Sequence, residues 1–124
     1  MDDSMNKVFL LGNLTTDPEL KTTNGGAPVC MFRIETSRSY RSGDAERTEV
    51  ALIDVTVFGK NAETVARYMT KGSRLLVEGR LKIDQWQTKD DPPQDRSKLI
   101  VIGEIIKFAG ASPAHAQRQG DGRW

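Results

Sequence analysis

Residues 48–86 read TEVALIDVTVFGKNAETVARYMTKGSRLLVEGRLKIDQW, and their periodicity changes twice. From 48 to 58 it is two: Ile53, Val55 and Val57 share one face, and Leu52, Asp54, Thr56 and Phe58 share the other. That alternation predicts a strand. From 61 to 71 Ala62, Val65, Ala66 and Met69 recur at helical spacing. Asn61 is placed to cap this helix, Glu63 favours its first turn and Gly72 its end. From 73 to 86 the period of two returns. Leu75, Val77, Gly79, Leu81 and Ile83 form an apolar face; Arg74, Leu76, Glu78, Arg80, Lys82, Asp84 and Trp86 form the other. A three-turn helix between two strands is a brace for a sheet, not part of a helix bundle.

The flanks extend the sheet. KVFLLGNL (7–14) predicts a strand apolar on both faces, with Val8, Leu10 and Leu14 on one and Phe9 and Leu11 on the other. Its outer face either meets a partner subunit or packs under the helix or the first hairpin. Asp17-Pro18 breaks this strand, and Asn24-Gly25-Gly26 signals a hairpin turn. In PVCMFRIETSRSY (28–40), Cys30, Phe32 and Ile34 face a core while Met31, Arg33 and Glu35 face away. Residues 41–47 read as a polar turn, 88–97 as a loop and 98–108 as a last strand with Gly103 at its centre.

Three strands, one helix and two strands result, and mid-strand glycines at 79 and 103 permit sharp coiling. Five antiparallel strands hide their edges by closing into a barrel. The expected fold is all-β: a five-stranded OB-fold barrel with one short helix between the third and fourth strands. Pattern alone leaves another small barrel or a sandwich open. The expected division is a flexible N-terminus at 1–5, an OB-fold domain at 6–110 and a disordered tail at 111–124.

Composition narrows the function. The chain has 124 residues with 18 Lys+Arg against 17 Asp+Glu, so any polyanion site must be a local face. No apolar run approaches a membrane span, and the acidic MDDSMNK start has no signal-peptide core. The single cysteine, Cys30, fits a reducing compartment, so a cytoplasmic location is expected. The only histidine, His115, lies in the tail, and there is no phosphate-binding glycine loop or paired-cysteine spacing. Neither an enzyme, a cofactor nor a metal is expected.

The outward residues of strands two to four combine cations with rings. Arg33, Arg74, Arg80 and Lys82 join Phe58 and Trp86, and Tyr40 and Arg41 stand at the end of strand two. Unpaired bases stack on such rings while cations follow the phosphates. Outward Glu35, Asp54, Glu78 and Asp84 oppose phosphate. These residues by themselves leave a nucleic-acid face and a protein-interaction module both open.

From Asn6 to about Gly110 the chain resembles the bacterial single-stranded DNA-binding protein family. The resemblance lies in GNL-x-x-DPEL followed by NGG, VFGK before the helix, KGS-x-L-x-VEG-x-L after it, and a Trp seven residues beyond that glycine. It implies an OB-fold homotetramer that wraps single-stranded DNA during replication, recombination or repair, with a dimer as the lesser assembly. It implies stacking on Tyr40, Phe58 and Trp86, and phosphate contacts from Arg33, Arg41, Lys60, Arg74, Arg80 and Lys82. A primosome-accessory relative or an interaction module is the alternative, and VFGK with VEG-x-L favours the first family. There are departures. Leu52 stands where a further aromatic is common, Asp54 and Asp84 stand where basic residues are common, and the tail has no acidic tip. Weaker binding, and no recruitment of replication proteins through the tail, are the expectations.

Overall fold

Alternation and hairpin chemistry account for most of the architecture. The computed structural model describes residues 3–110. Its elements are β1 (Val8–Leu14), β2 (Glu19–Thr22), β3 (Pro28–Ser42), β4 (Ala45–Phe58), α1 (Lys60–Tyr68), β5 (Arg74–Gln87) and β6 (Asp95–Phe108). The sheet runs β1-β5-β6-β4-β3-β2, and β1 also pairs with β3 at Asn13↔Glu35 and Leu14↔Ile34. That extra pairing closes a barrel of β1, β3, β4, β5 and β6, with α1 between β4 and β5. The closure needs close backbone approach. A Cβ on Gly12 would overlap the Glu35 carbonyl oxygen, and one on Gly79 would overlap that of Ile102. At Gly79 the register shifts: Glu78 pairs with Ile105 and Gly79 with Gly103, leaving Glu104 as the extra residue of a bulge.

The core holds the predicted faces. Cys30, Phe32 and Ile34 of β3, Val55 and Val57 of β4, and Leu75 and Val77 of β5 are buried, with Ala62, Val65 and Met69 from the helical segment. Burial also raises the Cys30 thiol above its usual pKa.

Several expectations change. Glu19–Thr22 forms a short fully exposed strand paired to Met31–Pro28, joined to β3 by the turn at Asn24-Gly25-Gly26. The polar turn at 41–47 shrinks to Gly43-Asp44, because β3 and β4 stay paired without interruption from Val29↔Phe58 to Ser42↔Ala45. Gly43, at φ 64, supplies the left-handed conformation a two-residue hairpin needs. β5 and β6 likewise pair out to Gln87↔Asp95. Two long ribbons therefore project from the barrel, and Leu81 and Ile83 lie on one of them, exposed rather than in the core. Gly59 is the N-cap of α1, with no side-chain cap bond; Asn61 instead donates to the Glu104 carbonyl. The helix ends at Tyr68, where buried Met69 turns extended, so Gly72 belongs to the following turn. The expected tail at 111–124 lies outside the described residues, as do the first two residues.

Candidate nucleic-acid interface

Strand register assembles one outward face from four strands. Met31 and Arg33 of β3 stand across from Thr56 and Asp54 of β4, and Val29 stands across from Phe58. β6 lies beside β4, with Val55↔Val101 and Thr56↔Ile102. Since Val101 is on the core side, Lys98 and Ile100 share the face of Thr56 and Asp54, with Ile100 buried at the floor of the groove and Lys98 exposed above it. β5 adds Lys82↔Ile100, Asp84↔Lys98 and Trp86↔Arg96. The centre of this face is a groove of about 360 Å³ lined by Thr15, Met31, Arg33, Asp54, Thr56, Asp84, Lys98 and Ile100 among others.

Ion pairs occupy much of its charge. Asp54 Oδ1 accepts from Arg33 Nε at 2.9 Å, and its Oδ2 accepts from Lys98 Nζ at 2.8 Å. These two hydrogen bonds, Arg33 first and then Lys98, hold the Asp54 carboxyl below its usual pKa against partial burial. The same contact raises Arg33. Arg80 Nη1 donates to Glu104 Oε2 at 2.9 Å, so it turns toward the bulge, where Lys7 meets Glu78 at 2.7 Å. Lys82 has no ion pair among the described residues.

The rings are presented unequally. Phe58 is 47% exposed at the end of β4, and Trp86 is 45% exposed near the tip of the β5–β6 ribbon. Gln85, Gln87, Asp95, Arg96 and Ser97 line a second hollow with Trp86. Tyr40 is exposed, with the Arg38 guanidinium 5.2 Å from its ring centre. The β3–β4 register has no bulge, so Tyr40 shares a ribbon face with Phe32 and Ile34, opposite Arg33. Arg41 has the parity of Arg33 but lies at the far tip of that ribbon.

Arg74 stands at the opposite end of β5 from Trp86 and donates to Asn13 Oδ1 at 3.1 Å. Lys60 opens α1 and lines a separate depression with Leu20, Glu63 and Arg67. The structure thus brings together Arg33, Lys82, Phe58 and Trp86 of the predicted set on one sheet face, with Arg80 at its bulged edge. Tyr40, Arg41, Arg74 and Lys60 lie elsewhere on the surface. Lys98 and Arg96 join the face without having been singled out in the sequence. The alternation of Lys98 and Ile100 against Leu99 and Val101 carries the signal for Lys98; Arg96 lies in a stretch that reads as loop.

A second exposed patch lies on the outer side of β1 and its neighbours. Phe9 is 64% and Leu11 47% exposed, beside Leu76 and Ile105. Packing of Phe9 and Leu11 under the helix or first hairpin is therefore not what occurs. β1 meets β3 only at Asn13 and Leu14, so its edge from Val8 to Gly12 has no strand partner on that side among the described residues.

Among the described residues no cluster of His, Cys, Asp and Glu could hold a metal, and no helix is long and apolar enough to cross a membrane.

Comparison with known proteins places this arrangement. The family model described as "Single-strand binding protein family" matches residues 5–109. A Treponema pallidum single-stranded DNA-binding protein is 33% identical over 120 residues, 97% of this chain and 66% of that protein. Its Wolinella succinogenes namesake is 38% identical over 110 residues, 88% of this chain and 67% of the relative. Staphylococcus aureus single-stranded DNA-binding protein 1 is 40% identical over 104 residues, 84% of this chain and 65% of the relative. The chain thus spans about two-thirds of the length of these relatives. Among solved structures, that of a Plasmodium falciparum SSB in complex with ssDNA has the same fold. The TM-score is 0.78 at 24% identity, covering 87% of this chain and 97% of the other.

Proposed function

The chain belongs to the single-strand binding protein family, and we propose that it binds single-stranded DNA without regard to sequence and shields it during replication, recombination or repair. One observation carries the reading beyond family membership. A single sheet face presents Phe58 and Trp86 half exposed, with Lys82, Lys98, Arg96 and Arg33 on the same side. A base stacked on such a ring contributes about 1–3 kcal/mol by alanine substitution, whatever its identity. Duplex bases are already stacked, so this face selects unpaired strands. Tyr40, Arg41, Arg74 and Lys60 extend the path if the strand wraps beyond the groove, and Arg80 joins it on release from Glu104. The activity is binding, with no catalytic step, cofactor or metal.

The assembly in this reading is a homotetramer, with a dimer as its smaller unit. Its support is the apolar patch of Phe9, Leu11, Leu76 and Ile105 beside the unpaired edge of β1. A second copy can bury the patch and pair the edge at once. The location proposed is the cytoplasm, with the nucleoid.

The second reading is an interaction or primosome-accessory module with weak nucleic-acid binding. The observation favouring it is Asp54, which neutralises two groove cations. Competition between a labelled single strand and unlabelled single strand, duplex and RNA tests the choice. The single-strand reading expects the unlabelled DNA strand to displace the probe and the duplex to fail. Equal displacement by duplex overturns it.

A further inference from the structure

Asp54 holds two cations from two different strands. Its Oδ1 receives Arg33 Nε of β3 at 2.9 Å and its Oδ2 receives Lys98 Nζ of β6 at 2.8 Å. One carboxylate thus presents paired anionic oxygens to a guanidinium and an ammonium, as a backbone phosphate would. It does so inside the groove, with Thr56 and Ile100 beside it. We infer that Asp54 is a built-in surrogate for one DNA phosphate, occupying Arg33 and Lys98 in the free protein and giving them up when a strand enters. This rests on the single-strand reading.

The consequence is electrostatic. With the carboxylate in place, Arg33 and Lys98 contribute less net charge to phosphate neutralisation than their number suggests. The salt dependence of binding is then shallower than a count of groove cations implies. Asp84 stands across from Lys98 and lines the same groove, so it is the acid able to recapture Lys98 when Asp54 is lost.

The test is the anisotropy of a labelled oligo(dT) across a salt series, for native protein, Asp54→Asn, Asp54→Asn with Asp84→Asn, and Lys98→Gln in both backgrounds. Asp54→Asn is expected to bind roughly three- to tenfold tighter at low salt, with a log–log salt slope steeper by about 0.7, rising to about 1.4 in the double variant. Lys98→Gln is expected to lower the slope more in the Asp54→Asn background than in native protein. Should Asp54→Asn fail to fold, Asp54→Thr carries the same expectation, since threonine suits a strand. An unchanged or shallower slope in the Asp54 variants overturns the inference. So does weaker binding at low salt, which would mean that Asp54 orients its partners for DNA. Absence of native binding at any salt overturns the single-strand reading itself, and this inference with it.

Discussion

Trp86 on β5 stands directly across from Arg96 on β6, near the tip of a ribbon that projects past the barrel. In the proposed reading the ring takes a base while the Arg96 guanidinium, which donates to Gln94 Oε1 at 2.6 Å in the free protein, takes an adjoining phosphate. Nothing in the core depends on the indole. Trp86→Ala is expected to weaken single-strand binding by about 1–3 kcal/mol while leaving the melting temperature nearly unchanged. A large loss of melting temperature would make the ring structural.

Lys82 and Arg80 are one turn of the pleat apart, yet their surroundings differ. Arg80 is bound to Glu104, whereas Lys82 has no ion pair among the described residues. Lys82→Gln is therefore expected to reduce the salt slope by about 0.7, and Arg80→Gln by less. Titrations of both variants over the same salt range check the order, and a reversed order contradicts the assignment.

How much of this was legible in the sequence depends on how far each signal reaches. The core face of Cys30, Phe32 and Ile34 follows from local alternation and is found buried. Leu81 and Ile83 show the same alternation but are exposed, because periodicity does not say where a barrel ends and a free ribbon begins. The strand Glu19–Thr22 has no apolar alternation; it exists through pairing with β3. The Asp54–Lys98 contact spans 44 positions and arises from the placement of β6 beside β4, so no local pattern reveals it. Asp54 could be read from sequence only as an acid on the wrong face. The opposite parity of Tyr40 and Arg33, by contrast, was readable, since both lie in one uninterrupted strand.

The proposed assembly seats a second copy on the apolar face of β1. Leu11→Glu places a charge among Phe9, Leu76 and Ile105, at a side chain already 47% exposed within one chain. The fold of the subunit is expected to survive while the assembly breaks into smaller species, seen as a fall in mass by sedimentation equilibrium. An unchanged mass contradicts this interface.

Acid should act through Asp54. Its carboxyl titrates below the usual value because of the Arg33 hydrogen bond, then that of Lys98. A carboxylate favoured in the folded state contributes stability above its unfolded pKa, near 4, and loses it as pH falls through the lower folded value. Asp54→Asn is thus expected to melt below native protein at pH 7, with the gap closing under about pH 4. Thermal melts across that range check it; a gap as large at low pH as at pH 7 contradicts it.

The central claim is that the face bearing Trp86 takes unpaired DNA. The chain has two tryptophans, Trp86 and Trp124, so a Trp124→Phe background leaves Trp86 as the only reporter. The most direct measurement is the fluorescence of that variant titrated with oligo(dT) and, in parallel, with a duplex of equal length at low salt. The account predicts strong, saturable quenching by the single strand and little by the duplex. Saturable binding of oligo(dT) with no change in Trp86 emission, or equal quenching by the duplex, would contradict it.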